Sequence, residues 1–332
     1  MTASIHIIAE MACSHEGNPK LARTIIEAAG VAQADAIQFQ MWNLGRMVVP
    51  HHPDYPMLQQ IELSPATWKE LADFTRDRFP QMQIIACVYE TSSVDLGESI
   101  GVDAYKIHSA DLSNPFLIEY VAKTGKRIDL SVGASTIVEI QTAVDWIRNA
   151  GNDLLWLMYG YQGFPTPTNA IHLDYMKKLK ELFELPVGYQ DHSDGESDAA
   201  FWLPAAAVGM GIDIIEKHIT HDRSFKGIDH EAALNPDQFT RFVAMVRELE
   251  TARGSSLPRP FSPHEEKYRR YSKKSLVAAR DLPPNHTLTL DDLSYMRADK
   301  LGLPPDQASS LVGRATRRAI AAYDLISGDD LN

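Results

Sequence analysis

The sequence predicts a (β/α)8 barrel followed by a small β-rich module, and three observations carry that expectation. Eight short apolar runs are spread through roughly the first 250 residues at the spacing of βα units. An amphipathic, helix-like stretch follows each run, which is the repeat of a closed barrel. The last 60 or so residues then change character, to short strand-like runs and turns without a long helix.

In order, the runs are SIHIIAEMA (4–12), AIQFQMW (36–42), QIIACVY (83–89), AYKIHS (104–109), RIDLSVG (127–133), LLWLMYG (154–160), PVGYQDH (186–192) and IDIIEKHIT (212–220). Several of the intervening helices open on a cap residue and a proline: Asn18-Pro19, Ser64-Pro65, Asn114-Pro115 and Asn235-Pro236. The polar cap satisfies one orphan backbone donor and the proline removes another. A doubly wound sheet has fewer strands and a glycine-rich first turn, whereas the first turn here, ACSHEGN, holds one glycine. These signals place a barrel at 1–255, a linker rich in proline, serine and charge at 256–272, and a module at 273–332. A module of that size profits from docking elsewhere.

Composition narrows the functional classes. Across 332 residues, 44% apolar and 23% charged content are those of a soluble globular protein. The 44 acidic residues outnumber the 32 basic ones, a net charge of −12, which argues against nucleic acid or an anionic membrane as partner. Two cysteines, Cys13 and Cys87, make neither a disulfide framework nor a thiolate zinc site, and fit a reducing cytoplasm. The first residues show no basic leader, and no segment reaches the roughly 20 apolar residues of a membrane span.

Barrel enzymes build their sites at the C-terminal ends of the strands. Polar residues gather at those ends: Glu10, Gln38 and Gln40, Lys106 with Ser109 and Asp111, Ser131, Asp191 and His192, Glu216 and His218. Residues two apart on a strand share a face, so Gln38 accompanies Gln40, Gln190 accompanies His192, and Glu216 accompanies His218. His192 and His218 end the seventh and eighth runs, which are neighbours in a closed barrel. Two readings stand side by side, hydrogen-bonded imidazoles at the rim of a core or ligands of one divalent cation. Lys106 is either a surface lysine or an anion contact, and parity sets it with His108 rather than with solvent. Glu10, between IIA and MAC, would be costly to bury without a partner. His15, His108, His221 and His230 read as loop or supporting groups, and Trp42 with Tyr89 as core or substrate walls.

The segments IIAEMACSHEGN, AIQFQ, AYKIHS, LSVGAS, GFPTP, GYQDHS, IEKHIT and GIDHEAAL, in that order, resemble the sialic acid (N-acetylneuraminate) synthase family. Lys273 to Asn332, above all SLVAARDLPPNHTLTLDDL, resembles the antifreeze-like (SAF) domain that follows the TIM barrel in that family. The resemblance covers essentially the whole chain. It implies condensation of phosphoenolpyruvate with an N-acetylated, N-acetylmannosamine-like hexose to a nonulosonic acid and phosphate. It implies a divalent metal on His192 and His218, manganese by preference and magnesium or cobalt otherwise. Lys106, Ser109 and Ser131 then contact phosphoenolpyruvate, and Glu10, Gln40 and Asp229 the acceptor. Asp111 stands where the family has glutamate, as an acid/base or water-positioning group. Arg297 matches an arginine that the SAF domain extends into the neighbouring barrel, which implies a domain-swapped homodimer.

The departures from the family pattern concentrate in the donor's pocket. Gln38 replaces a lysine, Cys87 a threonine, Gln190 a serine and Gln162 an asparagine, while Phe164 replaces a tyrosine on the acceptor side. Losing a cation and short hydroxyls weakens charge-assisted contacts to an anion. Two alternatives therefore accompany the synthase reading: a different acceptor or enol donor in the same barrel, and a catalytically weak sugar-binding homologue. Ice binding needs a flat apolar face, and LSYMRADK is charged.

Overall fold

The computed structural model describes residues 4–332 and divides into two compact units, the first ending at Gly254 and the second running from Ser255 to Asn332. In the first unit eight parallel strands close a barrel: β1 (His6–Glu10), β2 (Ala36–Met41), β3 (Gln83–Val88), β4 (Ala104–Ile107), β5 (Arg127–Ser131), β6 (Leu155–Tyr159), β7 (Val187–Asp191) and β8 (Ile214–His218). Each strand pairs with the next, and β8 closes on β1 with Glu10 opposite His218. The (β/α)8 expectation holds.

The strands are shorter than the apolar runs that announced them, for a physical reason. Chain just beyond their ends is buried without belonging to a barrel strand: Met11, Ala12, Cys13, Trp42, Val132, Ser193, Ile219 and Thr220 are all buried. An apolar run reports burial, and at a barrel mouth burial outlasts the strand. Ser109, Asp111 and His192 therefore sit in the turns just past β4 and β7.

Alternation along the strands divides the molecule into a shell and a centre. Outward residues such as Ile37, Phe39, Tyr105, Ile107 and Tyr189 join the helices in one large core. Inward, Ile8, Ala36, Ile85, Ala104, Met158 and Ile214 make an apolar plug, and the polar strand-end residues lie above it. Three of the four predicted caps accept as expected. Asn18 takes the N–H of Lys20 at 3.0 Å, Ser64 that of Thr67 at 3.1 Å, and Asn114 that of Leu117 at 3.3 Å. Asn235 does something else: its side-chain oxygen accepts from the backbone of Arg223 at 2.7 Å, tying the loop after β8 to the helix Pro236–Arg253.

In the second unit, β9 (Ser275–Ala278) pairs antiparallel with β10 (Leu293–Met296) over a small core that includes Leu276, Leu282, Leu288, Leu311, Ile320 and Leu331. The segment expected as a linker, 256–272, holds a ten-residue helix, Pro263–Ser272, capped reciprocally by Ser262 and Glu265. None of its residues is buried, so the sequence carries no apolar period to betray it. No helix among the described residues is long and apolar enough to cross a membrane.

Candidate active site

Lys106 enters the barrel mouth from β4 and Glu216 from β8, opposite strands of the eight. Their side chains meet at 2.5 Å, both almost fully buried. Glu10 on β1 brings a carboxylate oxygen to 3.8 Å from the same ammonium. Gln190 on β7 donates to Glu216 at 3.2 Å, and Ser131 on β5 donates to Gln190 at 2.9 Å. Three hydrogen bonds and one longer ion-pair contact thus gather side chains from five of the eight strands into one floor.

Burial pushes the carboxyl of Glu10 up to about 8, with Glu216 adding to the effect and Lys106 opposing it. For Lys106, burial works against the charge, but Glu216 and Glu10 prevail and raise its pKa above the ordinary lysine value. Several polar atoms around this floor are buried with no hydrogen-bond partner among the described residues: both amide atoms of Gln38, Oε2 of Glu10, Oε2 of Glu216 and Nδ1 of His218. Such atoms are costly to leave unpaired, so their concentration here marks the place where bound molecules complete the site.

Above the floor stand the two imidazoles, 5.2 Å apart between ring centres. Burial lowers the pKa of both, and for His218 the neighbouring His192 and Lys106 lower it further, so both rings are neutral. His192 donates its Nδ1–H to the carbonyl of Tyr161 at 2.9 Å, which leaves Nε2 as a free lone pair. Neutral rings, one with its tautomer fixed, fit the needs of a divalent cation. Among the described residues no set of three or more His, Cys, Asp or Glu converges on one point. The chain therefore offers two imidazoles, with other coordination positions left to water or substrate. Phe164 packs edge-on against both rings, at 4.6 Å from His192 and 6.0 Å from His218.

On the β1–β3 side, Gln40 accepts from the hydroxyl of Tyr89 at 3.3 Å, with the Cys13 thiol at 3.9 Å. Trp42 crosses Tyr89 edge-to-face at 6.4 Å, and both belong to a satellite apolar cluster with Cys13, Leu44, Ile61 and Ile228. The wall and core readings of that pair are thus one and the same surface. Asp229 lies half-buried in a left-handed turn, φ 61°, its carboxyl raised by burial. Cys87 lies inward on β3 beside Gln40 and Lys106.

Other expected residues stand apart from the floor. Ser109 is half-buried in the turn after β4. Asp111 accepts from Asn114 at 3.0 Å and makes no hydrogen bond to Lys106 or either imidazole. Gln162 and Phe164 ride on the loop after β6, which crosses β7 so closely that a Cβ on Gly160 would lie 2.5 Å from the carbonyl of Gln190. Arg297, in the second unit, is exposed. His15 accepts from Gly17 at 3.0 Å and His230 contacts the carbonyl of Gly227 at 2.6 Å, so both serve their own loops. His221 is wedged against Phe225 at 5.0 Å.

Behind the mouth, facing the helices, Lys217 and Asp191 form a fully buried ion pair at 2.8 Å. Asp191 also accepts from the hydroxyls of Tyr189 (2.9 Å) and Ser193 (2.8 Å) and from the backbone of Ser193 (3.0 Å). Each member of the pair precedes one imidazole in the chain. The network therefore fixes the backbone from which His192 and His218 project.

Two features escaped the sequence reading. Glu216 was grouped with His218, but its bond across the barrel to Lys106 was not foreseen. Inward parity on opposite strands would have suggested it. The carbonyl of Tyr161, a backbone group, leaves no signal in the residue types.

The closed barrel with polar strand ends is an enzyme scaffold, and likeness to known proteins makes it a synthase, a transferase that forms a carbon–carbon bond. The chain belongs to the NeuB family, whose model matches residues 25–257, and its last part, residues 273–332, matches the SAF domain. It is 30% identical to the N,N'-diacetyllegionaminic acid synthase of Legionella pneumophila, over 92% of this chain and 89% of that protein. It is 32% identical to the uncharacterized protein MJ1065 of Methanocaldococcus jannaschii, over 98% and 94% respectively. Among solved structures, an N-acetylneuraminic acid synthetase of Leptospira borgpetersenii superposes with a TM-score of 0.74 at 28% identity, covering 81% of this chain and 92% of that one.

Replacing Asp191 with alanine leaves the Lys217 ammonium buried and uncompensated. Unfolding in urea should show a loss of about 3–5 kcal/mol. Asp73→Ala, which breaks an exposed pair with Lys69, should change stability by less than about 1 kcal/mol.

Proposed function

We propose that the protein condenses phosphoenolpyruvate with the open-chain aldehyde of an N-acetylated hexose, giving a nonulosonic acid and inorganic phosphate. The observation that carries this reading is the buried floor of Lys106, Glu216 and Glu10 set beneath two neutral imidazoles. It pairs a cation for an anionic donor with a place for a metal and an acceptor oxygen.

A divalent cation, manganese by expectation, would be held by His192 and His218 and would supply Lewis-acid polarisation of a carbonyl. The chain's own groups account for the rest. Lys106 holds the anionic donor, the hydroxyl of Ser109 bonds its oxygens, and that of Ser131 turns from Gln190 to do the same. Gln40 and Asp229 orient the acceptor. The enol carbon attacks the aldehyde carbon, and the aldehyde oxygen takes a proton. Glu10, protonated at neutral pH, can supply that proton from its carboxyl. Water then adds to the former enol C2, with its proton passing to Asp111, and phosphate leaves as its C–O bond breaks.

One observation favours a second reading, the same chemistry with a different enol donor. Gln38 stands where a lysine is expected and brings no charge, and its amide is unpaired. Phosphate release should occur with phosphoenolpyruvate and at least one member of a panel of N-acetylated and diacetamido hexoses. Gln38→Lys should then lower the donor KM by one to two decades, the worth of a charged contact to a bound anion. A loss of the native reaction in Gln38→Lys would favour the other donor, and no release from either protein would reject the synthase.

Metal content gives an independent check. Purified protein should bind about one divalent cation per chain, and His192→Ala and His218→Ala should each lose it while remaining folded. Undiminished occupancy in either variant would place the metal elsewhere.

We also infer a cytoplasmic homodimer in which each second unit caps the neighbour's barrel mouth and Arg297 reaches the neighbour's acceptor. The charge division supports it: the first unit has 34 acidic and 20 basic residues, the second 10 and 12. Mixing Arg297→Ala protein with His218→Ala protein should restore part of the activity through hybrid dimers. A fully active monomer would refute the arrangement.

A further inference from the structure

β4 ends at Ile107, and His108 begins the turn Ser109–Asp111. The imidazole caps that turn, with the backbone N–H of Ala110 donating to Nδ1 at 3.2 Å. A ring nitrogen that accepts carries no proton. Burial, and then the Lys106 ammonium, lower the pKa of the ring to about 4. At neutral pH the ring is therefore uncharged, with its single proton on Nε2.

That Nε2–H makes no hydrogen bond among the described residues, and it is not one of the sealed orphan atoms, so it meets open space. Tyr89 backs the ring at 5.7 Å, its own hydroxyl engaged by Gln40. Lys106, two residues earlier on β4, shares the inward face with His108. A fixed, uncharged donor thus stands at the mouth beside the one lysine of the floor.

We infer that His108 is a substrate-binding residue which presents its Nε2–H to an anionic oxygen of the enol donor. The inference rests on the functional reading above and deepens it. His108 shares its strand end with Lys106 and Ser109, which places it on the donor's side. Lys106 is already held by two carboxyl groups, and Gln38 adds no cation, so the donor's several negative oxygens meet mainly neutral donors. An imidazolium next to Lys106 would be repelled, whereas a neutral N–H adds a hydrogen bond without adding like charge. Since the ring gives up its Nε2 proton reluctantly in the neutral state, its contribution falls on donor affinity rather than on proton transfer.

His108→Ala should raise the donor KM about three- to tenfold, as for one neutral hydrogen bond, with the acceptor KM unmoved. His108→Gln, whose side-chain amide can occupy the place of Nε2, should recover most of the loss. In metal-loaded protein with 15N-labelled histidine, the ring should show the Nε2–H tautomer from pH 5.5 to 8, and its signals should move on saturation with phosphoenolpyruvate. A proton on Nδ1, an unchanged donor KM in His108→Ala, or a change confined to the acceptor KM would each overturn the assignment. If the wild-type protein releases no phosphate from phosphoenolpyruvate, the functional reading falls by that result alone. His108 is then judged by inorganic phosphate, whose addition should move the ring signals, and unmoved signals would overturn the anion contact.

Discussion

The floor of the barrel mouth is built on the bond between Lys106 and Glu216. An ion pair out of contact with water gains little net stability, because desolvating both charges offsets most of their attraction. Breaking it is another matter, since either partner alone would be a buried, uncompensated charge. The closed barrel makes the pairing possible: β4 and β8 face each other, and inward residues at the same height can meet across the axis. Glu10, raised chiefly by its burial, lies against the pair, and Gln190 takes its orientation from Glu216, passing it on to Ser131.

The same strands do a second job on their other face. His192 and His218 point into the mouth, and their chain neighbours Asp191 and Lys217 lock together among the helices. Each imidazole is thus held by a bonded network one residue away, on the opposite side of the sheet. A carbonyl from the loop after β6 fixes the tautomer of His192, and that loop is held close to β7 by the absence of a side chain at Gly160. Strand and loop together determine which lone pair faces the cavity.

Much of this was legible in the sequence because it is local. Apolar runs, Asn-Pro and Ser-Pro caps, and residues two apart on a strand depend on neighbours within a few positions, and they placed the eight strands and the inward faces. Lys106 and Glu216 lie 110 positions apart, and only closure of the barrel brings them together. The helix Pro263–Ser272 was missed because it has no buried face, and the strands were drawn too long because buried turns are as apolar as strands. The resemblance implies roles that residue types leave open, such as Asp229 for the acceptor and Arg297 for the neighbouring barrel. His108 shows the limit in the other direction, since its tautomer depends on a backbone N–H two residues on.

The three departures from the family pattern that lie on strands, Gln38, Cys87 and Gln190, all occupy inward positions. Their immediate neighbours Ile37, Phe39, Ala86, Val88 and Tyr189 belong to the shell that joins barrel to helices. Exchanging an uncharged inward residue such as these leaves that shell untouched, so the chemistry of the mouth can change while the packing of barrel on helices is carried by a different, interleaved set of letters. At the strand ends, alternation alone thus lets one letter in two face a bound molecule while its neighbour holds the wall.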